Sequence, residues 1–356
     1  SMGVCCSKGT GITVENGRDD CNEHGDGESA VRETNDGAVI RSRGSSRHVS
    51  MAIKQGKKGI NQDAMTVWEN FGGEEDKVFC GVFDGHGPMG HKISRHICET
   101  LPSRVHSKLI SSKSGGNENI ENNQEGLFED VLVTFFKQID SELGLDSPYD
   151  SFCSGTTAVT VLKQGDCLVI ANLGDSRAVL GTRGSKNSSI KAVQLTVDLK
   201  PCVQRETERI VSCKGRVFAM EEEPDVYRVW MPDDDCPGLA MSRAFGDFCL
   251  KDYGLVCIPE VFCRTISRED EFVVLATDGI WDVLSNEEVV KIVGSCNDRS
   301  VAAETLVQRA ARTWRTKFPA SKADDCAVVV LYLNHRPYSR ERNVSRAFSW
   351  RSTKEQ

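Results

Sequence analysis

The sequence predicts a mixed α+β fold. Short apolar runs of strand character dominate the middle of the chain, and amphipathic segments with helical spacing are inserted between them in pairs. Helices and strands therefore do not alternate strictly. This pattern favours separate layers of helix and sheet over a parallel sheet with a helix after each strand. No internal repeat is visible in the sequence.

Composition divides the chain of 356 residues into three parts. Residues 1–47 are rich in Gly, Ser, Asp, Glu and Arg without a sustained period, and we expect them to form a flexible arm. Residues 48–333 contain the periodic segments and are expected to fold as one domain. Residues 334–356 carry a basic excess without a core pattern and are expected to be a disordered tail.

The first half of the domain is predicted to contain two amphipathic helices, after apolar runs of strand character at 64–68 and 78–83. Residues 89–109 and 127–143 both place apolar side chains on one helical face, and a polar segment separates them. Residues 156–162 and 168–172 have strand character and flank a Lys-Gln-Gly-Asp turn, which predicts a hairpin. A short strand at 178–180 follows.

The second half is predicted to contain helices at 201–213, 289–296 and 302–318 and strands at 272–276 and 327–333. Ser285 and Glu288 have the spacing of a capping box, so the second of these helices is expected to begin there. Residues 215–237 are acidic and irregular. They fit either a movable flap beside a site or a plain surface loop.

Charge and cysteine content limit the classes of protein to which the chain can belong. The formal net charge of −8 argues against nucleic acid as the main partner, since such proteins present a basic face. The 15 cysteines form no C-x-x-C pair and no zinc-ligand spacing, and the chain has no secretory signal and no apolar stretch of 18 residues. We therefore expect a cytoplasmic monomer with free thiols.

Four short acidic motifs carry most of the functional information. They are Asn61-Gln62-Asp63, Phe83-Asp84-Gly85-His86-Gly87, Thr277-Asp278-Gly279-Ile280-Trp281-Asp282 and Ala323-Asp324-Asp325-Cys326. Asp-Gly alone is a turn signal, so a structural turn is the simpler interpretation of any single motif. Each motif adjoins an apolar run, however, and carboxylates at strand ends can converge on one edge of a sheet. Such hard oxygen donors suit Mg²⁺ or Mn²⁺.

In their order along the chain, these motifs resemble those of the metal-dependent protein phosphatases of the 2C type, over residues 48–333. Further matches are Ser154-Gly155-Thr156-Thr157-Ala158-Val159, Gly174-Asp175-Ser176-Arg177-Ala178 and Gly238-Leu239-Ala240-Met241-Ser242-Arg243-Ala244-Phe245-Gly246-Asp247. The segment from Lys58 to Met65 is similar to the plant branch of the family. The resemblance implies a sandwich of two antiparallel β-sheets, with helices on both outer faces.

The resemblance also implies the metal ligands. They are the carboxylates of Asp63, Asp84, Asp278 and Asp324 and the backbone carbonyl of Gly85. Together they are expected to hold two Mg²⁺ or Mn²⁺ ions about 4 Å apart. A hydroxide bridging the ions would attack the phosphorus of phosphoserine or phosphothreonine directly, so phosphoproteins are the expected substrates.

Two further residues are candidates for catalysis. His86 follows Asp84 closely and is expected to be the general acid, although a histidine in a turn can also simply bond the backbone. Lys58 stands where many family members carry an arginine that grips phosphate, and its simpler interpretation is a solvated lysine. Asp282 is expected to orient a water or to serve an outer ion.

Two departures from the family pattern concern the surroundings of the centre. Gln62 stands where many members have a glutamate, and Phe152 where many place an aspartate for a third ion. Asp150 is near in sequence but offset by two residues, so an outer ion is expected to be weak or absent.

Other functions are less consistent with the sequence. The chain lacks the His-Cys pair of the tyrosine phosphatases, the Gly-Asn-His-Glu motif of the other large metallophosphatase family and a P-loop. The alternative from another class is a catalytically inactive binding protein that retains the fold. All four aspartates are present, which favours the enzyme.

The first residues predict a membrane location. Met2-Gly3-Val4-Cys5-Cys6-Ser7 fits N-myristoylation at Gly3, with Cys5 and Cys6 as candidates for palmitoylation. Two acyl chains give stable attachment where one gives only marginal binding, so we expect the inner surface of the plasma membrane. Ser1 precedes Met2, is expected to be left from recombinant expression, and would block the myristoylation.

Overall fold

The structure is a computed structural model, and it describes residues 31–114, 124–184 and 188–333. Two antiparallel β-sheets pack face to face, and helices cover the outer face of each. The predicted α+β sandwich is therefore confirmed. Within these three ranges, no helix is long and apolar enough to cross a membrane.

The first sheet has nine strands. Seven of them lie in the order β1 (Val31–Glu33), β2 (Val39–Arg41), β5 (Asp63–Glu69), β6 (Lys77–His86), β8 (Ala158–Gln164), β9 (Cys167–Leu173) and β16 (Glu260–Thr265). The short strands β7 (Gly155–Thr156) and β15 (Phe245–Gly246) extend the end of β6. The predicted hairpin is present as β8 and β9.

The second sheet has six strands. Their order is β11 (Lys191–Gln194), β10 (Arg177–Thr182), β17 (Asp270–Ala276), β18 (Cys326–Tyr332), β4 (Val49–Lys54) and β3 (Gly44–Ser45). Every residue of β18 is buried, because one face meets the first sheet and the other lies under a helix. A strand buried on both faces reads as a continuous apolar run, which is why the sequence predicts it well.

The described residues also contain seven α-helices. They are α1 (Gly90–Ser114), α2 (Gln124–Leu145), α3 (Gln204–Ser212), α4 (Phe248–Lys251), α5 (Asp278–Trp281), α6 (Asn286–Ser295) and α7 (Ala302–Lys317). The first two pack on the first sheet and the last two on the second. The predicted capping box is confirmed, since Ser285 Oγ accepts from the Glu288 backbone N–H at 3.2 Å.

Ordered strands begin earlier than expected. Residues 31–47, assigned from the sequence to the flexible arm, contain β1, β2 and β3. Ile40 pairs with Trp68 across β2 and β5 and is only 8% exposed. Strands of two or three residues are too short to show a period, so composition alone did not separate this part from the arm.

The segment 215–237 is also more regular than expected. It contains most of a third, three-stranded sheet of β12 (Arg216–Met220), β13 (Glu223–Trp230) and β14 (Pro237–Leu239). Phe218 stacks on Trp230 at 5.0 Å between ring centroids, which fixes β12 against β13. Most exposed positions of this segment are acidic, and this hides the strand pattern in the sequence.

Other expectations fall outside the described residues. These are the arm over residues 1–30, with Gly3, Cys5 and Cys6, and the tail over residues 334–356.

Candidate metal centre

The four predicted aspartates lie at one end of the sandwich, two on each sheet. Asp63 is the first residue of β5 and faces Asp84 directly across the ladder to β6. Asp278 opens α5 just after β17, and Asp324 lies two residues before β18. Because β17 and β18 are antiparallel neighbours, the end of one meets the start of the other. The strand order thus brings together residues that are far apart in the sequence.

The buried carboxylates at this end of the sandwich raise one another's pKa. Burial, followed by the charges of neighbouring carboxylates, raises the pKa of Asp63 and of Asp84 well above the usual range. The neighbours acting on both are Asp278 and Asp324. Buried like charges are costly without compensation, so this end of the sandwich favours binding of a cation.

Hydroxyl groups hold two of the aspartates in place. Thr277 Oγ1 donates to Asp63 Oδ2 at 2.8 Å and thereby links the second sheet to the first. The Asp84 backbone N–H donates to Thr157 Oγ1 at 3.1 Å, and the Thr157 hydroxyl lies 2.8 Å from Ser176 Oγ. The motifs that contain Thr157 and Ser176 therefore help to fix the backbone at Asp84.

Gly85 lies between Asp84 and His86, where the chain leaves no room for a side chain. A Cβ atom would meet the carbonyl oxygen of Gly90 at 2.4 Å and that of Gln62 at 2.6 Å. Glycine is required here for close backbone packing. A metal bond to its carbonyl remains a prediction.

Two additional acidic residues extend the centre. Asp175 is buried, and its Oδ1 has no hydrogen-bond partner among the described residues. Burial and then Asp278 raise the pKa of Asp175 to about 6 and that of Asp282 to about 7. The positive charge of Lys200 partly offsets the increase in pKa of both carboxyl groups. Asp175 belongs to the Gly174-Asp175-Ser176-Arg177-Ala178 motif, from which no role was predicted for it. Its position directly after a glycine and an apolar strand was the available signal.

Asp325 has a structural role, unlike its neighbour Asp324. Its carboxylate accepts from the backbone N–H of Gly56 at 2.7 Å and of Gln62 at 2.9 Å. These bonds fasten the loop before β5 to the start of β18. Asp324 instead contacts the ammonium of Lys58. Although burial lowers it, the Asp324 carboxylate raises the pKa of Lys58 above its usual value, so the ammonium stays charged.

His86 forms a buried pair that the sequence argument missed. Its Nε2 lies 2.6 Å from Oδ2 of Asp247, and Asp247 is 1% exposed. A Cβ atom on Gly155 would lie 2.2 Å from Asp247 Oδ2 and 2.9 Å from His86 Nε2, so the pair depends on glycine there. Burial lowers the pKa of His86, but the charge of Asp247 outweighs it and raises the pKa.

The other ring nitrogen of His86 is differently placed. Nδ1 has no hydrogen-bond partner within the described part of the chain. A cavity of about 20 Å³, large enough for about one water, adjoins His86 and is lined also by Arg228 and Gly238 from the third sheet. The third sheet therefore borders the site, and its movement as a flap stays a prediction.

The residues at the two positions that depart from the family pattern, Gln62 and Phe152, add no ligand to the centre. Gln62 Nε2 donates to the Gly87 carbonyl at 3.0 Å, so its side chain supports the loop. Phe152 is 59% exposed. Asp150 accepts from the Phe152 backbone N–H at 3.0 Å and is itself exposed. Neither residue joins the buried aspartates.

The donor set fits magnesium or manganese. All its candidate side-chain donors are carboxylate oxygens. Within the ranges that the structure describes, no three His, Cys, Asp or Glu side chains surround one common ion position. Mg²⁺ retains several waters and commonly uses one or two carboxylates, so it does not require such a group. An acidic centre of this kind is typical of hydrolases that use divalent cations.

Comparison with known proteins identifies the family. A family model described as Protein phosphatase 2C matches residues 43–317. Probable protein phosphatase 2C 65 of Arabidopsis thaliana is 86% identical over 363 residues, which cover 99% of this chain and 94% of that protein. Probable protein phosphatase 2C 73 of Oryza sativa subsp. japonica is 51% identical over 359 residues, covering 96% of this chain and 82% of that protein.

Solved structures agree on the fold. A serine-threonine phosphatase 2C from Toxoplasma gondii has a TM-score of 0.73 at 23% identity, with 83% of this chain and 99% of that chain covered. A sex determining protein of C. elegans has a TM-score of 0.63 at 22% identity, with 83% and 66% covered. The chain belongs to the protein phosphatase 2C family. Members of this family are Mg²⁺- or Mn²⁺-dependent protein serine/threonine phosphatases, and this chain is an enzyme of that class.

Proposed function

We propose that the chain hydrolyses phosphoserine and phosphothreonine in proteins at a centre of two Mg²⁺ or Mn²⁺ ions. Asp63, Asp84, Asp278 and Asp324, with the backbone carbonyl of Gly85, would hold the ions. The observation that carries this proposal is the convergence of the four carboxylates at one edge of the sandwich, where Asp278 and Asp324 raise the pKa of both Asp63 and Asp84. The plant origin of the relatives also supports the plant-type branch.

When bound, two such ions would neutralise the phosphate ester and lower the pKa of the attacking water. The protein supplies the fixed positions of the ligands. Thr277 and Thr157 hold Asp63 and Asp84 through hydrogen bonds that do not depend on substrate. This preorganisation avoids rearrangement of the carboxylates during the reaction.

His86 would protonate the leaving serine or threonine oxygen. An alkoxide is a strongly basic leaving group, so a proton donor is needed. Asp247 engages Nε2 and favours the doubly protonated ring. Nδ1 has no partner among the described residues, which makes its proton the one available for transfer.

Lys58 would hold a phosphoryl oxygen. Its ammonium is charged and lies against Asp324 at the edge of the centre. Lysine offers a point charge rather than the planar fork of arginine, so it binds phosphate without fixing its orientation.

A small aryl phosphate tests the activity, because it needs no protein docking. With Mn²⁺ present we expect turnover, and we expect an excess of EDTA to abolish it and added Mn²⁺ to restore it. Turnover that persists in EDTA after dialysis would contradict a metal-dependent centre.

We also propose that the native chain is a cytoplasmic monomer held at the inner surface of the plasma membrane. The motif Met2-Gly3-Val4-Cys5-Cys6-Ser7 supports myristoylation at Gly3 and palmitoylation at Cys5 and Cys6.

A further inference from the structure

A cavity of about 280 Å³ adjoins the metal centre on the side of the second sheet. It lies between the end of β4 with its following loop and the last turns of α7. Asp324 belongs both to this cavity and to the carboxylate cluster. A group bound in the cavity would therefore be a close neighbour of a phosphate at the metal centre.

The cavity is basic. Lys54, Lys57 and Arg315 line it, and none of them forms an ion pair with a described residue. Arg315 Nε donates to the Ala311 carbonyl at 3.1 Å, and the residue is exposed. Asp324, a carboxylate in the lining, is already paired with Lys58. Three cations without anionic partners attract an anion, even though the chain carries a net charge of −8.

The positive charge continues along α7. Arg309 and Arg312 line a second cavity, of about 250 Å³, and they too form no ion pair within the described ranges. Glu304 in the same lining accepts from Gln308 Nε2 at 2.6 Å. We call Lys54, Lys57, Arg309, Arg312 and Arg315 together the basic face.

The loop that follows Lys54 and carries Lys57 is fixed relative to the metal centre. The Lys57 backbone N–H donates to the Ala323 carbonyl at 2.7 Å, and the Gly56 N–H donates to Asp325 Oδ1 at 2.7 Å. A Cβ atom at Gly56 would lie 2.4 Å from the Ala323 carbonyl oxygen. Such close backbone packing gives the cavity a defined distance from the centre.

We propose that the basic cavity binds a second phosphoryl group of the substrate, on a residue close in sequence to the one being hydrolysed. The inference rests on the proposed function, because it assumes a phosphoprotein at the metal centre. A phosphoryl group has nearly two negative charges and several acceptor oxygens, so it suits three cationic donors better than a carboxylate does. The enzyme would then prefer multiply phosphorylated segments.

An anionic lipid headgroup is the competing ligand for this face. The phosphoryl group of the substrate is favoured because the cavity is concave and shares Asp324 with the centre. A membrane surface would more readily meet a broad convex patch of cations.

The test uses peptides of one sequence with a single hydrolysable phosphoserine. A second position, two to five residues before or after this phosphoserine, is varied. It carries serine, glutamate or a non-hydrolysable phosphonate analogue of phosphoserine, which gives three peptides for each offset. They are assayed with the wild type and with the combined variant Lys54→Ala, Lys57→Ala and Arg315→Ala. A control variant, Lys137→Ala, Lys191→Ala and Lys291→Ala, removes the same charge from exposed positions elsewhere.

We expect the wild type to prefer the phosphonate peptide over the serine peptide by roughly tenfold in kcat/KM at the best offset, with the glutamate peptide between them. The cavity variant should lose this preference and keep wild-type turnover of an aryl phosphate. The control variant should retain both.

Two results would overturn the proposal. One is a wild type that treats the three peptides alike at every offset, and the other is a cavity variant that keeps the preference. If the cavity variant keeps the preference and also no longer sediments with phosphatidylserine vesicles, the face is a membrane contact instead. Lack of aryl phosphate turnover by the wild type would instead overturn the proposed function, and the inference with it.

Discussion

The two ring nitrogens of His86 have different surroundings. Nε2 is engaged by Asp247, which raises the pKa of the ring, and Nδ1 has no partner among the described residues, so the proposed mechanism would use its proton for the leaving group. The pair forms because residue 155 has no side chain and because Asp247 adopts a left-handed backbone, with φ of 51°. Non-glycine residues rarely adopt that conformation, which indicates that the position of Asp247 is maintained for a purpose.

Replacing His86 by glutamine should distinguish between leaving groups. A phosphoserine peptide needs a proton on its leaving oxygen, so we expect its kcat/KM to fall by about 10²–10⁴. An aryl phosphate has a weakly basic leaving group and should lose much less. The measurement compares both substrates for His86→Gln and for the control His96→Gln, which changes an exposed histidine. Equal losses on both substrates would show that His86 only supports its loop.

At the scale of elements, long or strongly patterned segments were predictable. The apolar run of β18 and the capping box of α6 gave the right element at nearly the right boundaries. The strand β2 and the third sheet were missed. The strand β2 depends on a partner elsewhere in the chain, with Ile40 paired against Trp68, whereas acidic exposed positions hide the strand pattern of the third sheet.

Prediction of the site from the sequence has the same limit, because local motifs are visible and long-range partners are not. Motifs identified the four aspartates and His86, because each motif contains its own signal beside an apolar run. Asp247 lies 161 residues from His86, so only the folded chain shows that they pair. The functions of Asp175 and Asp325 likewise depend on neighbours from other strands.

Glu206 joins α3 to the segment that carries Asp247. Its side chain is fully buried and accepts from Ser242 Oγ at 2.7 Å, from Arg209 at 2.7 Å and from Nε and Nη2 of Arg243. Burial alone would raise its pKa. The hydrogen bonds from Arg243, Arg209 and Ser242 outweigh burial and lower the pKa of Glu206 to about 2.

This ion network should make stability depend on pH. Because the folded pKa lies below the unfolded value of 4.5, the ionised Glu206 stabilises the fold above about pH 4.5. The contribution is lost as pH falls toward 2, by roughly 3 kcal/mol in total. Urea unfolding in EDTA between pH 7 and 3 should therefore show a difference between wild type and Glu206→Gln that shrinks as pH falls. The control Glu208→Gln, on the exposed face of α3, should follow the wild type. A pH-independent difference would contradict the assignment.

At the scale of the whole molecule, the acidic residues of the third sheet and the basic face lie on different elements around one centre. The arm before residue 31 adds the proposed membrane anchor, which would leave the catalytic domain free to meet phosphoproteins at the membrane surface.

The membrane proposal predicts two separate losses in cells. A chain starting at Met2 and carrying a C-terminal fluorescent tag should lie at the plasma membrane. Gly3→Ala should release it, since myristoylation needs that glycine. Cys5→Ser with Cys6→Ser should leave only weak, reversible attachment, because one acyl chain binds marginally. If Gly3→Ala leaves the distribution unchanged, myristoyl anchoring is wrong. If the double cysteine variant stays firmly attached, the second acyl chain is wrong.

The central claim is that converging carboxylates bind the ions that drive hydrolysis, and Asp278→Asn tests it most directly. Asp278 acts on Asp63, Asp84, Asp175 and Asp282 at once, so removing its charge should weaken the whole site. The measurement is aryl phosphate turnover at saturating Mn²⁺, alongside calorimetric Mn²⁺ binding and thermal unfolding, for Asp278→Asn and for the exposed control Asp252→Asn. We predict a folded Asp278→Asn protein with weakened Mn²⁺ binding and turnover below about a tenth of wild type, while Asp252→Asn matches wild type. An Asp278→Asn protein that binds Mn²⁺ normally and keeps most of its turnover would contradict the account.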